Sequence, residues 1–233
     1  MEVRAAIDEL KRRRVPFVPL TSKTEDELRD FFAELGPGGI GAYENGAGII
    51  SGSGTQVLEK AVPVATLAVR IEELSRLARL PLRPVPGLST AEIIRVTGLS
   101  ADRVPAMLAR RFGLPFLAPD GARDALEAAL GLLPGLRLTR GGLFWHLSGN
   151  HGKEDALDLL LRTRLVSRPL AGFGDAPNDA DFLARCDVAV LIPGPSGAID
   201  PTLAASVPTG RVAPFPAGRG WAAAVHELIE EAS

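Results

Sequence analysis

At 233 residues the chain is long enough to bury a substantial core, as one domain or as a domain carrying an insertion. Apolar residues make up 46% and charged residues 23%, with a formal net charge of -2, so neither nucleic acid nor an anionic membrane is indicated as a partner. The single cysteine, Cys186, excludes an intrachain disulfide and a cysteine-based zinc cluster, and reads as a small apolar core residue. The first residues lack the pattern of a signal peptide, and no apolar run approaches membrane-spanning length, so a cytoplasmic chain is expected.

Residues 2–14 predict a helix, with Val3, Ile7 and Leu10 on one face and charged residues on the other. Residues 15–20 predict a short buried strand despite Pro16 and Pro19. Thr24 with Glu27 makes a capping box, followed by Leu28, Phe31, Phe32 and Leu35 at helical spacing. Gly36 to Gly41 matches G-x-G-x-x-G, but it follows a helix and opens none, which argues against a dinucleotide site. Asn45-Gly46 between apolar residues signals a tight hairpin turn.

From about residue 66 the βα rhythm is lost. Helices are expected over 71–78, 100–111 and 122–133, with a further one opened by the Ser89/Glu92 capping box and closed by Gly98. Strands are expected over 82–85, 114–117, 136–138 and 143–147. This stretch reads as an inserted α+β lid. The rhythm then returns: a helix from Lys153, a strand over 169–173, a loop over 175–179, a helix over 179–185 and a continuous apolar strand over 188–192. A last amphipathic helix covers 221–229. The resulting expectation is an α/β fold, a Rossmann-like parallel-sheet core (1–65 and 148–233) with an inserted α+β cap domain (66–147).

Asp175 follows an apolar strand directly, and ligands gather at the carboxyl ends of strands in such sheets. Asp175, Asn178 and Asp179 could present oxygen ligands to Mg²⁺, or could equally cap the helix start that follows. Thr21 and Ser22 sit at another strand end, before a helix, where an anion is favoured. Lys153 opens its own helix against the helix dipole, a conflict that a nearby phosphate would relieve.

Thr21, an α+β insert, Lys153 and then Gly174-Asp175-x-x-Asn178-Asp179 resemble, in that order, motifs two, three and four of the haloacid dehalogenase superfamily of phosphatases. Longer strings, Val18-Pro-Leu-Thr21-Ser22-Lys23-Thr24, Glu44-Asn45-Gly46-Ala47, Thr97-Gly98-Leu99-Ser100, Gly142-Leu-Phe144-Trp145-His146 and Gly152-Lys153, resemble the mannosyl-3-phosphoglycerate phosphatase family. The resemblance implies Mg²⁺-dependent removal of phosphate from a phosphorylated sugar-glycerate. It implies Asp175 as metal ligand with Asp179 and Asn178 in support, Thr21 on the phosphoryl group, and Lys153 compensating charge. It also implies Ser22, Lys23, Glu44, Asn45 and Arg110 as the substrate-binding set.

That superfamily's first motif, Asp-x-Asp-Gly-Thr, supplies the nucleophile and the general acid, and no such string occurs here. The earliest aspartate, Asp8, lies in the first expected helix. The expectation is therefore a chain without its first core strand, through a start placed downstream of the true one, and inactive as it stands. Leu143 stands where that family usually has arginine, and Gly113-Leu114 replaces an acidic pair, which points to an altered substrate. The alternative is a non-catalytic remnant that binds a phosphosugar or metal as a regulator or partner subunit.

Overall fold

Helix α1, Glu2–Arg12, forms where the apolar spacing places it, with Ala6, Ile7 and Leu10 buried and its charged face outward. In this computed structural model, residues 2–36, 38–52, 54–140 and 143–232 are described. The chain divides into two units, one of residues 1–19 and 153–233, the other of residues 20–152. The strand expected over 15–20 does not form. Only Leu20 makes an isolated parallel bridge, to Ala42. Pro16 and Pro19 have no N–H to give a ladder, and that overrides the apolar run.

In the second unit, α2 (Glu25–Leu35) starts at the expected capping box. The Thr24 hydroxyl accepts from the Glu27 N–H at 3.2 Å, and the Glu27 carboxylate accepts from the Thr24 N–H at 2.8 Å. Strands β1 (Ile40–Tyr43), β2 (Gly48–Ser51) and β3 (Gly54–Val57) form an antiparallel meander. The expected turn joins the first two, with Glu44, Asn45 and Gly46 all at positive φ (45°, 57° and 92°). The glycine run serves packing: a Cβ on Gly39 would lie 2.3 Å from the Phe32 ring. Pro37 of that run lies outside the described residues.

Next come α3 (Val64–Ala78), β4 (Arg83–Pro84) and α4 (Thr90–Thr97), the last capped by Ser89 and Glu92 and stopped by Gly98 at φ 70°. The helix expected over 100–111 is broken into a 3-10 turn, Ala101–Arg103, and a short α5, Val104–Leu108. Pro105 sits near the start of α5, where its missing N–H does no harm. Then follow β5 (Gly113–Leu117), α6 (Arg123–Leu130), β6 (Leu136–Arg140) and β7 (Trp145–Gly149). Gly142, within the string Gly142-Leu-Phe144-Trp145-His146, lies outside the described residues.

These strands make an antiparallel sheet in the order β4-β5-β7-β6. Leu114, Phe116 and Leu147 pack with Leu67, Ile71 and Leu74 of α3 and Leu126 of α6 on one face. Strand alternation therefore turns Gly113, Pro115, His146, Ser148, Arg137 and Thr139 to the other face. Val85, Leu88, Ile93, Val104 and Phe144 form a smaller core beside it.

The first unit resumes with α7 (Lys153–Arg162), β8 (Ala171–Gly174), a 3-10 turn at Pro177–Asp179, α8 (Ala180–Leu183) and β9 (Val188–Leu191). Two elements escaped the sequence reading, α9 (Pro201–Ser206) and β10 (Arg211–Val212), before α10 (Ala217–Glu231). The sheet is parallel, ordered β10-β9-β8. Helix α1 packs on α10 through Ala6, Leu10, Ala222 and Val225. Trp221 meets Phe17 and Phe173 edge-on at 5.4 and 6.0 Å. The α/β class with a parallel-sheet core and an inserted α+β cap is thus present. No helix among the described residues is long and apolar enough to cross a membrane.

Gly172 of β8 faces α8 so closely that a Cβ would lie 2.5 Å from Cys186 Sγ and 3.0 Å from Leu183 Cδ2. Cys186 is partly buried and packs there as a small apolar residue. Gly172→Ala should cost about 1–3 kcal/mol through overpacking, measured by urea unfolding. An unchanged midpoint would show that α8 shifts freely.

Candidate functional site

In the first unit the chemistry gathers at the carboxyl end of β8. The chain leaves the strand at Gly174, passes Asp175 and Ala176, and turns through Pro177–Asp179 into α8. Asp179 organises this loop. Its side chain is 4% exposed, and Oδ2 accepts from the backbone N–H groups of Asp175 (3.0 Å) and Ala176 (3.1 Å). Its Oδ1 takes a 2.5 Å bond from Lys153 Nζ, whose side chain is 11% exposed. A Cβ on Gly174 would lie 2.5 Å from Asp179 Cβ, so glycine is what lets this carboxylate fold back under the loop.

This pairing resolves the electrostatic oddity of Lys153. The lysine does open α7, but a carboxylate from another element neutralises it there. The ammonium also lies 5.9 Å from the Phe182 ring centre. Asp175 is more exposed. Partial desolvation of its carboxyl and the like charge of Asp179 push it above the usual carboxylate range, against the pull of Lys153. Asn178 sits on the turn beside Asp179.

For a metal, this donor set offers Asp175 as the available carboxylate with the Asn178 amide nearby, while Asp179 has both oxygens engaged. Among the described residues, no group of three or more His, Cys, Asp and Glu side chains is gathered for a metal. One carboxylate at a strand end suits Mg²⁺, which keeps several waters and shares substrate phosphate, better than it suits an ion that needs a protein cage.

The second unit holds the remaining candidates, knitted together by backbone bonds. Thr21 N–H donates to the Ala42 carbonyl at 3.0 Å, and the Thr21 and Lys23 carbonyls accept from Asn45 N–H (2.9 Å) and Glu44 N–H (2.8 Å). Thr21 Oγ1 accepts from the Lys23 N–H at 3.1 Å, which leaves its own proton to donate. The Lys23 ammonium lies 3.5 Å from Glu27. The Ser22 carbonyl accepts from Arg110 Nη1 at 2.9 Å.

Glu44, which the family resemblance implies as substrate-binding, turns inward. It is 3% exposed, and its oxygens accept from the backbone N–H groups of Arg111 (2.8 Å) and Phe112 (2.9 Å). Burial pushes its carboxyl up, while those amides and the Arg110 charge oppose the shift. The Glu44 carbonyl also lies 3.3 Å from His151 Nε2. His146 belongs to the string Gly142-Leu-Phe144-Trp145-His146. It faces the same side of the cap sheet as Gly113, and burial plus the Arg110 charge push its imidazole down to about 4. The alternation Trp145-His146-Leu147 was the available signal, since the two apolar neighbours point to the core.

The fold, a parallel sheet with a Gly-Asp loop at one strand end and interrupted in sequence by an α+β cap, is similar to that of solved haloacid dehalogenase-like hydrolases. A solved haloacid dehalogenase-like hydrolase from B. subtilis superposes with a TM-score of 0.72 at 14% identity, covering 98% of this chain and 93% of that one. Among curated proteins, the chain is 25% identical over 247 residues to a glucosyl-3-phosphoglycerate/mannosyl-3-phosphoglycerate phosphatase of Persephonella marina, covering 97% of this chain and 89% of the relative. It is 26% identical over 218 residues to the protein of the same description from Methanococcoides burtonii, covering 86% and 80%. No protein-family model matches the chain.

Proposed function

We propose that this chain is the main part of a Mg²⁺-dependent phosphatase acting on a phosphorylated sugar-glycerate, of the glucosyl- or mannosyl-3-phosphoglycerate type, with residues 66–147 as its lid. The observation that carries the reading is the Lys153–Asp179 pair under the Asp175 loop. A buried ammonium held by one carboxylate, beside a second carboxylate at a strand end, is what charge compensation at a phosphoryl group needs.

In this reading Asp175, with Asn178, would hold the metal, which would supply positive charge against the phosphoryl oxygens. Asp179 acts through Lys153: it fixes the ammonium and the loop, and is a positioning residue. Lys153 would compensate the developing negative charge on the phosphoryl oxygens, and in the second unit Thr21, whose hydroxyl keeps its own proton to donate, is the candidate group for an anion. Water supplies the oxygen that ends on the released phosphate, and the other product of such a reaction is the sugar-glycerate with its hydroxyl freed and its carboxylate still charged, a compatible solute of the mannosylglycerate type, in the cytoplasm.

The nucleophilic aspartate has no counterpart in these 233 residues, since no Asp-x-Asp-Gly-Thr string occurs. The chain alone should therefore release no phosphate from mannosyl-3-phosphoglycerate with Mg²⁺, whereas the protein extended through in-frame upstream sequence encoding that string should. In the extended protein Asp175→Asn should lower turnover about a hundredfold or more. Turnover by the 233-residue chain, or full activity of Asp175→Asn, would refute the assignment. The missing string also favours a second reading, a non-catalytic binder of the same phosphosugar or metal acting as regulator or partner subunit. That reading predicts calorimetric binding without hydrolysis and an in-frame stop upstream.

A further inference from the structure

Residues 58–64 and 149–152 carry the chain into and out of the cap, and a lid that swings does so about connections of this kind. The two lie against each other, since a Cβ on Gly149 would run into the Lys60 carbonyl. The cap is held at a second place, by residues 110–112 just before β5. Among the described residues Phe112 belongs to neither of the cap's own cores. It packs instead with Leu28 and Phe32 of α2 and with Tyr43, Ala47 and Ile50 of the meander, its ring centre 6.5 Å from that of Tyr43.

The backbone is gripped at the same point. Glu44, on the turn between β1 and β2, accepts the Arg111 N–H on one carboxylate oxygen and the Phe112 N–H on the other. Gly113 leaves room for that fork: a Cβ there would lie 3.3 Å from Glu44 Oε2, while its φ is not positive and strand geometry does not demand glycine. Three ties surround the grip. Arg111 Nη1 donates to Glu25 at 2.9 Å, Arg110 Nη1 to the Ser22 carbonyl at 2.9 Å, and the Thr24 hydroxyl to the Ala106 carbonyl at 3.4 Å. The Arg111 carbonyl accepts from the Val64 N–H at 2.7 Å, so the grip reaches the first connection as well. All of these residues lie within the second unit.

We infer that Phe112 and Glu44 form a latch that fastens the cap to α2 and the meander, so that the lid does not swing about its two connections but moves with residues 20–58 as one body. Opening the lid by itself would draw an aromatic ring out of an apolar core and leave two amides without acceptors. The exposed Arg111–Glu25 pair adds little, and the ring and the carboxylate fork do the holding. The consequence is that Thr21, next to Ser22, keeps a fixed setting relative to the cap sheet. Only the term lid and the role of Thr21 rest on the phosphatase reading; the latch is a property of residues 20–152.

Residue-resolved amide hydrogen exchange on the 233-residue chain tests it without any turnover. The Arg111 and Phe112 amides should exchange within about a hundredfold of the strand amides of β2 and β7. Faster exchange than that would show a lid that opens by itself and would overturn the inference. Spin labels at Gln56→Cys in β3 and Leu132→Cys in the cap, both exposed positions, report the distance between meander and cap in a Cys186→Ala background. One narrow distance is expected, and Phe112→Ala or Glu44→Ala should broaden it. A broad or two-peaked distribution before those changes, or a narrow one that survives both, would overturn the inference. If both variants unfold, the exchange rates and the distance in the unlatched variants' parent decide it. Failure of the upstream-extended protein to release phosphate would remove the phosphatase reading and leave the latch standing.

Discussion

Asp179→Ala is expected to cost about 3–5 kcal/mol of unfolding free energy, because it takes away the hydrogen-bonded partner of the largely buried Lys153 and leaves it only the more exposed Asp175 carboxylate. The same change removes the acceptor of two loop amides, those of Asp175 and Ala176, so the loop loses its shape as well as its charge balance. Lys153→Met should cost less than Asp179→Ala: it leaves a buried carboxylate, but one that keeps two N–H donors. The double variant should recover part of the loss, since neither partner is then left alone. Denaturant unfolding of the three variants measures this. Additive single losses, with no coupling between the two sites, would show that the pair contributes nothing to the fold.

Glu44→Ala should be the other severe lesion, costing about 2–6 kcal/mol as the amides of Arg111 and Phe112 each lose their acceptor at about 1–3 kcal/mol. Glu44→Gln separates charge from hydrogen bonding. Burial raises the Glu44 carboxyl, so the folded state holds its proton to higher pH than the unfolded chain does. The sign follows: wild-type stability from this group is full below the unfolded value near pH ~4.3 and falls as pH rises through the folded value. Glu44→Gln lacks that fall, so its stability relative to wild type should improve between acidic and neutral pH. A gap that is constant across this range would contradict the buried, charged assignment.

Much of the architecture is legible in the sequence where local chemistry decides it. Thr24/Glu27 and Ser89/Glu92 set helix starts, Gly98 sets a stop, Asn45-Gly46 sets a turn, and Val188 to Leu191 set a central parallel strand. It was misleading at Val15 to Leu20, where apolar content outweighed two prolines in the reading but not in the fold. The short pieces at 201–206 and 211–212 carry too few residues for periodicity to register. In the candidate site, residue identity was readable but direction was not. Glu44 and Asp179 were expected to face substrate and metal, yet each turns inward to hold backbone amides, a choice made by distant segments brought close in the fold. Gly113 and Gly174 matter for what they lack, which no motif displays.

The packing of α1 on α10 joins the first dozen residues to the last seventeen. During synthesis Ala6 and Leu10 therefore emerge long before Ala222 and Val225, while the meander and the cap sheet can close on near neighbours at once. The second unit is positioned to fold cotranslationally around its own cores, and α1 must wait as an amphipathic helix with its apolar side uncovered. The interval between those events is when this chain is most open to chaperone capture.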